Sequence, residues 1–467
     1  MVSVERRTAL VFAALAALLA AARLCHAGIL WEGDTLPAAA AAQVLHGKVL
    51  YRDIWYDKPP LVAAFYLLSG ASAGWLLRLE DALYCLLACW IAYAFARELW
   101  SEREGRWAAG LLGFYLVFDF PSAVIPVASD LLMLAPHLAA VWMAQRRRPF
   151  WSGALAAVAF WISPKGLLVA AVCGLWNPAG IAWMAGGFAA VSAVAAAWLG
   201  ASGALGAYWE EVWVWGRLYA GSPFERSPLW NGVVRTLDWV GFHCAAVVAA
   251  AWFLGKRQNF RERLRWAGWP VVAAAGVALG MRFFPRYFFI LLPPVVMMAA
   301  RGFTLLRPRV RDFVVLLLLI PATRFGPAYL HALTDPAWRD IAMDQDSRAA
   351  AAFVRARSGP GDTLLLWGYR PEIYVYSGLP AATQWLDSQP LTGVPADRHL
   401  THSEPVEWEE AARRRAELAQ SRPTWVLDGI GPYNPELAIT RYPELRGWLA
   451  EYRDVGTVGR VVIYRRK

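Results

Sequence analysis

Few of the residues that build disulfide scaffolds or metal clusters occur in this chain. Of 467 residues, five are cysteine and seven histidine. Cys25, Cys85, Cys89, Cys173 and Cys244 lie in or beside apolar runs, and none has CxxC spacing. That excludes a disulfide framework and a zinc-thiolate site. Charge is scarce too: Asp, Glu, Lys and Arg make up 18% of the chain, against roughly 25% in soluble proteins. No P-loop, GxGxxG or GxSxG arrangement is present, which removes the common nucleotide-binding and serine-hydrolase readings. No internal repeat is evident either, and repeats are usual in secondary transporters.

What the chain has is apolar sequence. It is 58% hydrophobic, with mean hydropathy +0.35. Stretches of spanning length recur from Thr8 to Leu330, as expected of a polytopic α-helical membrane protein. The first span, Thr8 to Ala27, follows Arg6 and Arg7 and is too long for the core of a cleavable signal, so it reads as a retained anchor. The net charge is +10, but the excess lies before Asp335, with 29 Lys/Arg against 18 Asp/Glu; after it the counts are 17 and 18. The basic residues fall in short loops between spans, which argues against a nucleic-acid partner.

The loops at 97–106, 145–150, 255–265 and 301–312 are the clearest basic ones, and the positive-inside rule puts them, with the VERR terminus, in the cytoplasm. Neighbouring cytoplasmic loops must enclose an even number of spans. Segments 8–27 and 78–96 then flank a long external loop, 28–77, whose apolar part 60–73 lies along the interface. Segments 107–121 and 127–144 form a pair, with Asp119 and Asp130 near their outer turn. The run 150–176 breaks at SPKG (163–166), since Pro164 and Gly166 interrupt a helix and Lys165 needs water. With 180–203, 236–254, 267–284, 287–300 and 313–331 the count is about eleven spans, and the tail lies outside. The predicted domains are 1–334, membrane-embedded with external loops 28–77 and 204–235, and 335–467, a small extracytoplasmic α/β domain. In the tail, helical patterns at 339–357, 404–420 and 435–452 alternate with strand-like 363–367, 424–428 and 460–466.

Polar features on the outer face carry the chemistry. Loop 28–77 holds Glu32, Asp34, Lys48, Arg52, Asp53, Asp57 and Lys58 among aromatics. An ionisable cluster at a bilayer surface is a functional-site hypothesis by default. Asp34 suits a base facing a lipid carrier and equally an N-cap, because TLP and an alanine run follow it; Glu32 is the rival acid. In YDKPP (56–60) the double proline fixes the chain and holds Lys58 at headgroup depth, for phosphate or as a snorkelling lysine. Asp57 either binds a divalent cation or pairs with Lys58. Lys165 and Arg286-Tyr287 are further cationic candidates, and Asp130 is an acid or an N-cap. Glu210, Glu211 and Arg217 sit on an aromatic amphipathic helix in loop 204–235, which has no histidine for a carboxylate–histidine metal site. His137 and His243 read as core residues, and Asp344-x-Asp346 as a solvated helix start.

An acid just after span one, then AAQVLHGKVLYRDIWYDKPPL leading into an apolar helix, resembles the GT-C polyprenyl-phosphate-dependent glycosyltransferases. The likeness is to their bacterial branch near protein O-mannosyltransferases and the lipid A aminoarabinose transferase. RLxxA at 78–82, ASDLLML at 128–134, ISPKG at 162–166, PRYFFILLPP at 285–294 and PGDTLLLWGYRPEIYVYSG at 360–378 extend the resemblance, in order, over most of the chain. It implies an inverting transfer from a polyprenyl-phosphate sugar to an acceptor hydroxyl of a protein, glycan or lipid. The base maps best onto Asp34, with Glu32 and Asp130 as further acids. The lipid phosphate maps onto Lys58, Lys165 and Arg286, with Arg52, Tyr287 and Arg217 beside them, and a divalent cation onto Asp57 with Glu210. A bacterial inner-membrane location follows. The competing readings are a transporter or flippase of lipid-linked sugars and a non-catalytic family member.

Overall fold

The description rests on a computed structural model and covers residues 4–119, 125–221, 227–256, 259–394 and 400–467. Part of the Asp119–Asp130 turn and of loop 204–235 lies outside the described residues. The chain packs as two units, one of 1–27, 78–198 and 223–334, the other of 28–77, 199–222 and 335–467.

The first unit is all helix. Among the described residues the chain has six helices long and apolar enough to cross a membrane, or seven if one bent pair counts as a span. Small residues bring backbones together here. Gly302, on helix Leu292–Leu305, faces helix Cys244–Leu254 so closely that a Cβ on it would stand 1.9 Å from the Ala249 carbonyl oxygen. The break expected at SPKG is present between helices Pro149–Ile162 and Gly166–Trp176. At ~1.5 Å per residue these helices are about 21 and 16 Å long, each short of a ~30 Å hydrocarbon core. The expected span at 236–254 is not one straight helix. Helices Pro228–Phe242 and Cys244–Leu254 meet at 87°, and the break falls at His243. That side chain is buried, with Nδ1 2.8 Å from the Trp239 carbonyl oxygen and Nε2 3.2 Å from Asp119.

Charges inside this unit are matched. Arg23 Nε is 2.7 Å from Asp81 Oδ2, and both side chains are 0% exposed. Arg301 reaches Glu104 at 2.5 Å. An unpaired ion in a region that water does not reach costs several kcal/mol, so pairing is the condition for having such residues there at all.

The second unit is α/β. Strands β1 (Leu364–Trp367), β2 (Trp425–Asp428), β3 (Tyr452–Val458) and β4 (Val461–Arg466) form a sheet in the order β1-β2-β4-β3. β1 and β2 are parallel, and β4 runs antiparallel to β2 and β3. β1 and β2 are buried at every position, in keeping with their unbroken LLLW and WVLD. β3 was missed in the sequence, where 435–452 read as one helix. Pro435 and Pro443 each start a short helical piece instead, and Tyr452 opens the strand. The expected helix at 339–357 is Arg339–Arg355, but Asp344 is buried and Asp346 only partly exposed. Asp344 is 5% exposed and pairs with Arg348 at 2.6 Å, while Asp346 accepts from the Tyr433 hydroxyl at 2.6 Å.

Loop segment 28–77 belongs to this unit through specific bonds. Its alanine-rich helix, Thr35–Leu45, is buried along most of its length, and Gln43 bonds the tail backbone at Leu379 and Ala381. Trp55 enters the same apolar core as Trp215, Leu365, Trp367 and Val426.

Candidate functional site

Within the α/β unit, YDKPP forms a clamped elbow. Pro60 opens helix Pro60–Leu68 with Pro59 at its N-cap, so the chain before it must be extended. Three bonds hold that extended stretch. The Trp55 N–H donates to the Gln384 carbonyl at 2.9 Å, the Tyr56 N–H to Glu211 at 2.7 Å, and the Tyr51 hydroxyl to the Lys58 carbonyl at 2.7 Å. Tyr51 has φ +69°, costly for an aromatic residue, and its ring packs edge-on against Tyr208. The elbow presents Lys58 and Asp57 as an ion pair at 2.5 Å, 26% and 17% exposed. They are the partly exposed charges of an otherwise buried segment.

Two buried carboxyls back this pair. Burial pushes Glu211 up to about 9, with the Asp57 charge adding to the shift and the Tyr56 N–H and Arg414 opposing it. Burial likewise pushes Asp387 up to about 7; the Gln389 N–H opposes this, Asp57 adds to it and Lys58 opposes it. At neutral pH Glu211 is therefore protonated, and the elbow carries less negative charge than its acids imply. Arg414 stands over the rings of Trp215, Trp385 and Trp408 at 5.8, 5.5 and 5.1 Å and pairs with Glu410.

Asp34 occupies the N-cap position of Thr35–Leu45 but makes no capping bond. Its Oδ2 accepts the Trp31 N–H at 3.1 Å and its Oδ1 the Tyr66 hydroxyl at 2.7 Å, and the residue is 0% exposed. The capping reading is thus corrected: the carboxylate closes the Trp31–Asp34 turn, which Gly33 permits with φ +110°. Glu32, in the same turn, is half-buried. Arg52 is exposed and bonded to Asp53 through two nitrogens and to the Ser202 carbonyl. Arg217 and Glu210 are exposed. The acid of loop 204–235 that enters the elbow is Glu211, not Glu210. Between 205 and 221 the buried positions are Tyr208, Glu211, Val212 and Trp215, and that inward spacing is the available signal. For a divalent cation the fit is poor: Glu210 faces away, Asp57 already holds Lys58, and no group of three or more His, Cys, Asp or Glu among the described residues is arranged to hold a metal.

The helical unit has its own cluster. Lys165 Nζ lies 2.9 Å from Asp130 Oδ1 and 3.7 Å from the centre of the Tyr287 ring, and Arg286 adds positive charge to the same neighbourhood. Lys165 stands in the turn between the two short helices, and Asp130 in the one-turn helix Ser129–Leu132. Asp130, Lys165 and Tyr287, more than 150 residues apart in sequence at the extremes, therefore meet. Of the elbow, sequence reasoning identified Asp57 and Lys58; it missed Asp387 and Arg414, which a tail read as a separate domain gave no reason to join to YDKPP.

No protein-family model matches the chain, and no curated protein matches it. Solved structures do. The lipid A aminoarabinose transferase ArnT from Cupriavidus metallidurans, bound to undecaprenyl phosphate, superposes with TM-score 0.58 and 15% identity over 98% of this chain and 97% of its own. The Archaeoglobus fulgidus oligosaccharyltransferase, solved with Zn and sulfate, matches at TM-score 0.50 and 14% identity, over 95% of this chain and 71% of its own. The mycobacterial arabinofuranosyltransferase AftD gives 0.52 and 13%, over 97% of this chain and 40% of its own. These neighbours are GT-C glycosyltransferases, and the chain has their fold.

Proposed function

We propose that this chain, with its GT-C fold, is an inverting membrane glycosyltransferase. It moves a sugar from a polyprenyl-phosphate donor to an acceptor hydroxyl on the outer face of a bacterial inner membrane, where the tail lies. The observation that carries the reading is the clamped elbow. A lysine beside a bilayer is unremarkable, but Lys58 is held by backbone bonds on both sides and by two prolines, on a chain whose fold matches a polyprenyl-phosphate-bound structure end to end.

The chemistry needs a cradle for the phosphate charge that grows as the glycosidic bond breaks, and a base for the acceptor proton. Lys58 supplies the cradle: a phosphate replaces Asp57 as its partner, at little cost because the Asp57–Lys58 pair is partly exposed. Within the helical unit, Lys165 and Arg286 are separate cationic candidates for phosphate, and Asp130 pairs with Lys165. Asp34 is the base. Its Oδ1 already accepts an O–H at 2.7 Å from Tyr66, the bond a general base makes with an acceptor hydroxyl, and the acceptor takes the place of Tyr66 when the turn opens. Arg52 and Arg217 are exposed charges that favour the anionic donor from a distance.

Substitutions separate the roles. Lys58→Ala weakens use of a polyprenyl-phosphate sugar without loss of inserted protein. Asp34→Asn keeps donor binding and lowers transfer by about 10²–10⁴. Normal turnover by Asp34→Asn together with an inactive Glu32→Gln moves the base to Glu32; full activity in both removes it from this loop.

A further inference from the structure

The α/β unit has a second polar feature that the transfer reading leaves unused. Lys48, Asp53, Thr383, Gln384, Glu417 and Ser421 line an open cleft of about 410 Å³, within the ~300–1,000 Å³ range of small-molecule sites. Its apolar lining is Ala382, Trp385, itself 5% exposed, and Leu418, so hydrogen-bonding side chains make up most of the wall.

The chemistry of that ring selects its ligand. Asp53 is held well down, to about 2, by the Arg52 guanidinium and the Val49 N–H, so it is a permanent acceptor. Lys48 is half-buried and donates to the Ala381 carbonyl at 2.5 Å. With the Arg52 guanidinium on Asp53, the two carboxylates meet two cations, Arg52 and Lys48, so the cleft offers an anion no net attraction. Acceptors from carboxylates and an amide oxygen, donors from an amide and an ammonium, and hydroxyls that do both suit a ligand rich in hydroxyl groups. The cleft is also wired to the elbow. Gln384, a wall residue, gives its carbonyl to the Trp55 N–H, two residues before Asp57.

We propose that this cleft binds the saccharide part of the acceptor, a neutral or amino-bearing glycan, beside the elbow. The proposal rests on the glycosyltransferase reading for the word acceptor, but glycan binding is tested without transfer. The Gln384 and Glu417 side chains are suitable to change, because Gln384 meets the elbow through its backbone and Glu417 is exposed.

The test uses the full chain in lipid nanodiscs without donor. Saturation-transfer NMR is recorded with maltotriose, mannotriose, chitotriose, its deacetylated form and, separately, inorganic phosphate. The expected result is contact with at least one saccharide and none with phosphate, and at least tenfold weaker binding in Gln384→Ala/Glu417→Gln. Glu436→Gln, elsewhere on the unit, leaves binding unchanged, and equal melting of all variants excludes unfolding. Absence of contact with every saccharide, binding insensitive to the double variant, or preferential binding of phosphate overturns the proposal. A donor that is never consumed, with saccharide binding intact, instead defeats the transferase reading and leaves the cleft as a glycan-binding site.

Discussion

The helical unit holds its described buried acids in pairs, whereas the α/β unit pairs some, such as Asp344 with Arg348, and leaves others to backbone donors. In the helical unit each buried acid described above has a partner: Asp81 has Arg23, Glu104 has Arg301, Asp130 has Lys165 and Asp119 has the His243 ring. In the α/β unit, Glu211, Asp387 and Asp428 are buried with backbone N–H donors, and among the described residues no cation is bonded to them. Burial pushes them up to about 9, 7 and 6. Asp428 is raised even though it accepts from the Ile430, Gly431 and Ile439 N–H groups at 3.0, 2.7 and 2.9 Å. A buried acid without solvent has two ways to exist: it pairs with a cation, or it takes up a proton and stays neutral. The second solution is sensitive to pH.

The largest expected effect lies in the helical unit. Arg23→Leu strands Asp81 without its cation and costs about 3–5 kcal/mol, seen as a lower melting temperature and loss of inserted protein. Arg23→Leu/Asp81→Leu removes both charges and recovers most of that loss. A single variant no worse than the double one breaks the comparison at its strongest point.

A pH series gives the next largest effect. Raised carboxyl values mean that the folded α/β unit binds protons that the unfolded chain, with values near 4, has already released. The contribution of these three groups is therefore full below about pH 4 and is lost as pH rises towards their folded values of about 6, 7 and 9, following the proton-linkage sign. Melting of the tail followed by near-ultraviolet circular dichroism at pH 6 and pH 9 shows the loss at the higher pH. Constant stability over that range contradicts the assignment of neutral carboxyls.

The smallest effect is the sharpest. Glu211→Gln replaces a protonated carboxyl with its neutral isostere and keeps an oxygen for the Tyr56 N–H. Stability at pH 6 changes by less than ~0.5 kcal/mol, while the part of the alkaline loss that belongs to Glu211 disappears. A large penalty at pH 6 means that Glu211 is ionised there.

These contrasts explain what the sequence revealed. Hydropathy exposed the helical unit because spans are long and uniformly apolar. SPKG was legible because proline, glycine and lysine contradict a span from within, and β1 and β2 because their apolar runs end at turns. The bend at His243 was hidden, since Gly241 lies within an otherwise apolar run with no proline beside it and the ring bonds its own helix. Asp57 and Lys58 stood out beside two prolines. Asp387 did not, and Glu211 was legible only beside Glu210 on an amphipathic helix, because a carboxyl buried in the fold looks in the sequence like any surface acid. Arg23 with Asp81 escaped for a related reason: each lies at a span end, where a charge is ordinary, and only the fold shows that they meet.

The central claim is tested most directly by following the donor. Purified chain in sealed proteoliposomes is given a polyprenyl-phosphate sugar and an envelope extract as acceptor, with no nucleotide sugar, and lipid products are separated. Release of free polyprenyl phosphate with the sugar on an extract component, lost in Lys58→Ala, is the result expected of a transferase. An intact donor that merely changes leaflet contradicts it and makes the chain a flippase.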